Sequence, residues 1–182
     1  PTVSVVTEEQ IVAAYDRPVA LVRISYTEGL HGANVFVIST SDASVVADLM
    51  MGGSGTPSDG PLDEIQLSAL GESMNQMMGA AATAMAGMFG RRVDISAPEV
   101  SALDLTADDA QLDVVGSGQP AVAASFRLDV GDLLSTTLMQ LMPVDFAKEL
   151  IDGLMNSAPP PAAAPAPEPA PAPAAAPAAA PA

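Results

Sequence analysis

The sequence predicts an α/β (α+β) domain made of two duplicated half-domains, a β-sheet core with long amphipathic helices packed on one side. Three observations predict it. Runs rich in β-branched residues alternate with helical stretches. One helical stretch, Glu64–Phe89, is long and carries its own start and stop signals. Two pairs of segments answer one another at an offset of roughly 100 residues, far beyond solenoid periods. "PTVSVV" from Pro1 resembles "PEVSAL" from Pro98, and "VADLMMG" (46–52) resembles "AKELIDG" (147–153), each on a helix that follows two strands. If the unit is helix, three strands, helix, the second repeat starts near residue 62 and is complete. The first is then expected to lack its opening helix, which belongs before Pro1.

The elements follow in order. Thr7-Glu8-Glu9-Gln10 is a capping box that opens a short helix before Tyr15. Strands are expected at Pro18–Tyr26 ("PVALVRISY") and Asn34–Thr40 ("NVFVIST"), joined by the turn-like "EGLHGAN". That turn holds the sole histidine, His31, read as a solvated loop residue. A helix over Asp42–Met51 runs into "GGSG" (Gly52, Gly53, Ser54, Gly55), a glycine turn that needs no function of its own. The long helix begins at Asp63, an N-cap with Gln66 three residues on, and Leu62 is placed to staple onto Leu67. It ends at Gly90. Arg91 and Arg92 follow, and favouring the negative end of the helix dipole accounts for them better than an anion site does. Its methionines, Met74, Met77, Met78, Met85 and Met88, are read as core. Further strands are expected at Arg92–Ile95, Val122–Val130 and Ser135–Met142, and a last helix at Pro143–Met155.

From Ser157 to Ala182 the sequence is almost only Pro and Ala, which cannot bury enough apolar surface to fold. The globular domain is therefore expected over 1–156. Residues 157–182 read as a disordered, extended linker to a further C-terminal domain.

Composition removes several function classes. Six basic against 22 acidic residues give a formal charge of −16, which opposes nucleic acid and anionic membrane surfaces. No apolar run approaches the roughly 18 residues of a membrane span, so no direct membrane insertion is expected. The absence of cysteine excludes disulfides and thiol chemistry, and a lone histidine excludes a His-rich metal site.

On the long helix two residues stand out. At about 100° per residue, Ser68, Glu72, Asn75 and Gly79 fall within about 60° of one another. Leu67, Leu70, Met74, Met77, Ala81, Met85 and Met88 cluster almost opposite. A solvated helix face is one reading of that outward stripe. A docking surface with one acid and one amide is the other; the two residues alone favour the solvated face, a preference weakened slightly because Asn is a poor helix former with no local reward here.

Ser68-x3-Glu72-x2-Asn75, followed after 22 residues by Pro98, resembles the signature of the CheC/FliY/CheX family, phosphatases of the phosphorylated chemotaxis regulator CheY. The surrounding "LDEIQLSALGESMNQMMGAAATAMAGMFGRRVDISAPEV" and "ISYTEGLHGANVFVI" resemble the CheC-like domain of its flagellar-switch branch, over essentially residues 1–156. The resemblance implies that Asn75 orients a water in line with the aspartyl phosphate and that Glu72 pairs with the receiver's active-site lysine. Ser68 and Pro98 complete the motif, Pro98 as a residue that shapes the strand exit. It implies no cofactor of the chain's own, Mg2+ belonging to the CheY partner, and a place in the cytoplasm at the flagellar basal body. It implies switch partners too: FliM, FliG and FliN-like proteins, the last matching the domain expected after the linker. "GGSG" resembles the GGxG loop by which FliM contacts FliG, so Gly52, Gly53 and Gly55 are candidate contact residues. A non-catalytic, FliM-like switch scaffold is the alternative function.

Overall fold

Strand pairing in the computed structural model, which describes residues 1–15, 17–58, 60–105 and 119–156, follows an internal symmetry. The elements are β1 (Thr2–Val6), α1 (Glu8–Ala13), β2 (Val19–Glu28), β3 (Ala33–Ser39), α2 (Thr40–Met50) and α3 (Glu64–Phe89). They continue with β4 (Asp94–Ile95), β5 (Glu99–Leu103), β6 (Ala121–Val130), β7 (Leu134–Pro143) and α4 (Val144–Asn156). All pairings are antiparallel, in the order β1-β6-β7-β3-β2, with β5 and the short β4 both on β2. Exchanging β1, β2 and β3 for β5, β6 and β7 reproduces the same order backwards. Register agrees as well: Val6 lies opposite Ala121 as Leu103 lies opposite Val19, and Thr2 opposite Ser125 as Glu99 opposite Arg23. The axis of this pseudo-twofold passes through the Phe36–Gln140 pair, flanked by Val35–Leu141 and Val37–Met139. Each half lends its first strand to the sheet edge of the other. This arrangement is what the offset of roughly 100 residues predicts for a duplicated half-domain.

The strand correspondence carries into the helices, with Thr40 and Val144 opening α2 and α4 in turn. Asp42 of α2 meets Thr136 of β7 through a 2.7 Å hydrogen bond, and at the equivalent place Phe146 of α4 sits on Gly32. The structure therefore sets 46–52 against 150–156, three residues on from the match suggested by sequence. α4 holds leucines at both 150 and 154 where α2 has Leu49 alone, and matching Leu49 to Leu150 by identity sets a register that the strands do not share.

Side chains divide the sheet into two faces by the strand period of two. Ala20, Val22, Ile24, Phe36, Ile38 and Leu138 pack under α2 and α3 with Leu70, Met74 and Met78. Tyr26, Met142, Phe146, Ala82 and Val93 continue that face beneath α4, with Tyr26 and Phe146 rings 5.2 Å apart. The long helices thus share one side, as expected. The opposite face (Val19, Val35, Val37, Ala123, Leu141) is closed by Ile11 of the short α1 and by Leu105.

Two strands escaped the sequence reading, β1 and β5. Both are five-residue edge strands with mostly exposed side chains, and the alternation they carry (Val3 and Val5; Val100 and Ala102) is too short to stand out as a strand. Met77 and Met88, expected in the core, are exposed. The buried ridge of α3 runs Leu70, Met74, Met78, Ala82, an i, i+4 row inclined to the helix axis, and such a row leaves a stripe drawn parallel to the axis. The linker 157–182 lies outside the described residues.

Candidate functional site

The site begins with the way α3 is fastened at its N-terminus. Asp63 accepts from the Gln66 N–H at 2.8 Å and the Gln66 side chain accepts from the Asp63 N–H at 3.1 Å, the reciprocal box the sequence predicts. Leu62 is buried with Leu67 packed against the same cluster, which fixes the angle at which the chain enters the helix. Four residues beyond Leu67 comes Gly71. A Cβ at this position would lie 3.2 Å from Val100 Cγ2, so glycine lets the helix settle close onto β5.

That close approach makes a groove of about 380 Å³ between α3 and the segment entering β5. Leu67, Ser68, Gly71, Glu72 and Asn75 form one wall; Ala97, Pro98 and Val100 form the other. All four residues of the sequence signature therefore line one groove, although Pro98 is distant from the others along the chain. Ser68, Glu72 and Asn75 are exposed and Pro98 is half-buried. The sequence reading gave Pro98 a purely structural part at the strand exit. Its position beside the Glu72–Asn75 face is a contact that no linear pattern displays.

The electrostatics of the groove are simple. Among the described residues no lysine, arginine or histidine pairs with Glu72; its Oε1 accepts from Gln76 Nε2 at 2.9 Å. Asn75 offers an exposed amide, one acceptor and two donors on a single planar group. No group of three or more His, Cys, Asp or Glu residues is arranged to hold a metal among the described residues. The groove can bind and orient; it contains neither a base partnered to a nucleophile nor a close carboxylate pair.

The other sequence candidates lie elsewhere. The loop after α2 is held by Asp48, whose Oδ2 accepts from the Gly55 and Thr56 N–H groups at 2.8 and 3.1 Å. Gly55 has a φ of 78°, and a side chain on Gly53 would collide with the Asp48 carboxylate, so the glycines are needed for the loop to close on this anchor. Arg92 pairs with Glu28 at 3.2 Å and Asp94 at 2.6 Å, and Arg91 lies over the Phe89 ring at 5.6 Å. The arginines are thus taken up by neighbours, and Gly90, with a φ of 62°, ends the helix. The His31 side chain is 93% exposed, with Nδ1 3.8 Å from Glu149.

The profile of the CheC-like family matches residues 65–102, which run from α3 through β5 and contain every residue of the groove. Over 157 residues, 86% of this chain, the sequence is 45% identical to the flagellar motor switch phosphatase FliY of Bacillus subtilis (strain 168). The chain spans about two fifths of the length of that relative (41%). The crystal structure of Thermotoga maritima FliY superposes with a TM-score of 0.78 at 34% identity, covering 85% of this chain and 79% of that one. A chain of the FliG–FliM complex from H. pylori matches with a TM-score of 0.62 at 17% identity, covering 84% of this chain and 80% of that one, a likeness of fold. Among the described residues no helix is long and apolar enough to cross a membrane.

Proposed function

Because the chain belongs to the CheC-like family of FliY proteins, we propose that it hydrolyses the aspartyl phosphate of the chemotaxis regulator CheY. One observation carries the reading: Ser68, Glu72, Asn75 and Pro98 line a single exposed groove beside a helix face that a second protein can reach. An aspartyl phosphate is an activated acyl phosphate, so hydrolysis needs a positioned water more than a new nucleophile. The Asn75 amide holds that water in line with phosphorus. Glu72 docks against the receiver's lysine through a charge-assisted contact and sets the register. Magnesium is contributed by the receiver and neutralises the phosphoryl oxygens. The protein acts at the cytoplasmic face of the flagellar motor.

The test is phosphate release from CheY phosphorylated with acetyl phosphate, with the wild-type chain, Glu72→Ala and Asn75→Ala compared. Hydrolysis by Asn75→Ala at the wild-type rate overturns the mechanism.

A second reading, a FliM-like switch scaffold that binds FliG or neighbouring subunits, draws support from the Asp48-anchored loop. Gly52 projects into open space at its tip. Capture of FliG that depends on Gly52–Gly55, with no phosphate release, favours this scaffold over the enzyme.

A further inference from the structure

Gln76 lies outside the Ser68–Glu72–Asn75 pattern and does not line the groove, yet it is the residue that holds Glu72. Its amide Nε2 donates to Glu72 Oε1 at 2.9 Å across one helical turn, the i, i+4 spacing at which side chains on a helix meet. Both side chains are exposed, and no cation among the described residues pairs with the carboxylate. Without the amide, Glu72 would sample all the rotamers open to a surface glutamate, and docking would have to freeze them.

We propose that Gln76 is a positioning residue that presents the Glu72 carboxylate to the cationic group of the docked phosphoprotein. The assignment rests on the phosphatase reading of the groove. A neutral donor suits the task. An ionised carboxylate has about four lone-pair sites, and one amide N–H occupies a single site, leaving Oε2 whole for an incoming ammonium. A lysine at position 76 would orient Glu72 but also neutralise it and compete with the partner's cation. A glutamate there would repel it. Glutamine orients the carboxylate and leaves its charge available.

The experiment measures steady-state hydrolysis and equilibrium binding of acetyl-phosphate-phosphorylated CheY by the full chain, in wild type, Gln76→Ala, Gln76→Glu and Gln76→Lys. The expected result for Gln76→Ala is a rise of about three- to fivefold in KM and in Kd, with kcat retained. Gln76→Glu should weaken binding about tenfold or more at low ionic strength, with the loss shrinking in high salt. Gln76→Lys should also weaken it, by internal pairing with Glu72. Thermal melting checks that α3 is intact in each. If Gln76→Ala binds and turns over like wild type while Glu72→Ala is impaired, the role of Gln76 is overturned and the phosphatase reading stands. If the wild type binds CheY without hydrolysing it, the phosphatase reading falls, and the Kd values alone decide on Gln76. If the wild type neither binds nor hydrolyses it, both fall together.

Discussion

Val3 and Val100 hold equivalent places in the sheet and have unlike surroundings. Val3 pairs with Ala124 of β6, and Val100 pairs with Val22 of β2 at the matching register position. Val100 packs against the core cluster beneath α3, whereas Val3 is 65% exposed. The helices repeat the contrast, since Ala47 of α2 is fully buried and its counterpart Ile151 of α4 is 56% exposed. Among the described residues, Val3 of β1 and Ile151 of α4 are thus exposed where their symmetry mates are covered. Val100→Ala should cost about 1 kcal/mol, while Val3→Ala and Ile151→Ala should each stay within about 0.5 kcal/mol. Urea denaturation of the three variants measures this, and equal costs at Val3 and Val100 would refute the asymmetry.

Removing either member of the Glu72–Asn75 pair should impair hydrolysis in a different parameter. Loss of a charge-assisted contact worth about 1.5–3 kcal/mol predicts a KM raised about 10- to 150-fold in Glu72→Ala. Asn75→Ala should leave KM close to wild type and lower kcat by about a hundredfold, the scale expected when a reacting water loses its orientation. Michaelis–Menten analysis separates the two. A common effect on KM alone would remove Asn75 from the chemistry.

Asp48 is the anchor of the 52–56 loop. Asp48→Ala leaves the Gly55 and Thr56 N–H groups without this acceptor and should cost about 1–2 kcal/mol. Amide exchange at Gly55 and Thr56 should accelerate while exchange in β2 and β3 is unchanged. Unaltered protection at both amides would show that the loop holds its shape without the carboxylate.

Asn34 is fully buried, and its Oδ1 has no hydrogen-bond partner, while its Nδ2 donates to the Tyr26 hydroxyl at 3.1 Å. The pseudo-twofold sets it against Leu138, an apolar residue in the same core. Replacing a half-satisfied amide by a side chain of similar size should be neutral or stabilising by up to about 1 kcal/mol, so Asn34→Leu should not lower the melting temperature. A fall of several degrees would mean that the Tyr26 contact outweighs the orphaned oxygen. Burial also raises the Tyr26 phenol above its ordinary 10.0, with the Asn34 contact pulling the other way. The unfolded chain therefore ionises first, and the stability contributed by Tyr26 is lost as pH rises beyond about 10.

Much of this molecule is legible in its sequence because its signals are local. The capping box at Asp63, the stop at Gly90, the β-branched runs of β2, β3, β6 and β7, and the outward placement of Glu72 and Asn75 depend only on neighbours along the chain and on the helical period. The repeat was visible too, although the helix match slid by three residues. Other features needed the third dimension. Edge strands β1 and β5 are recognised by what they pair with, and each pairs across the halves. The buried ridge of α3 follows its crossing angle on the sheet, which no helical count contains.

The sequence by itself determined the helices, the strands other than β1 and β5, the duplication and the two outward side chains. Only the tertiary structure decided that Pro98 faces them, that Gln76 holds Glu72, and that Val100 is packed beneath α3 while its symmetry mate Val3 is exposed. The physical reason is the same in each case. Periodicity fixes where a side chain points, but packing between elements far apart in the chain fixes what it meets.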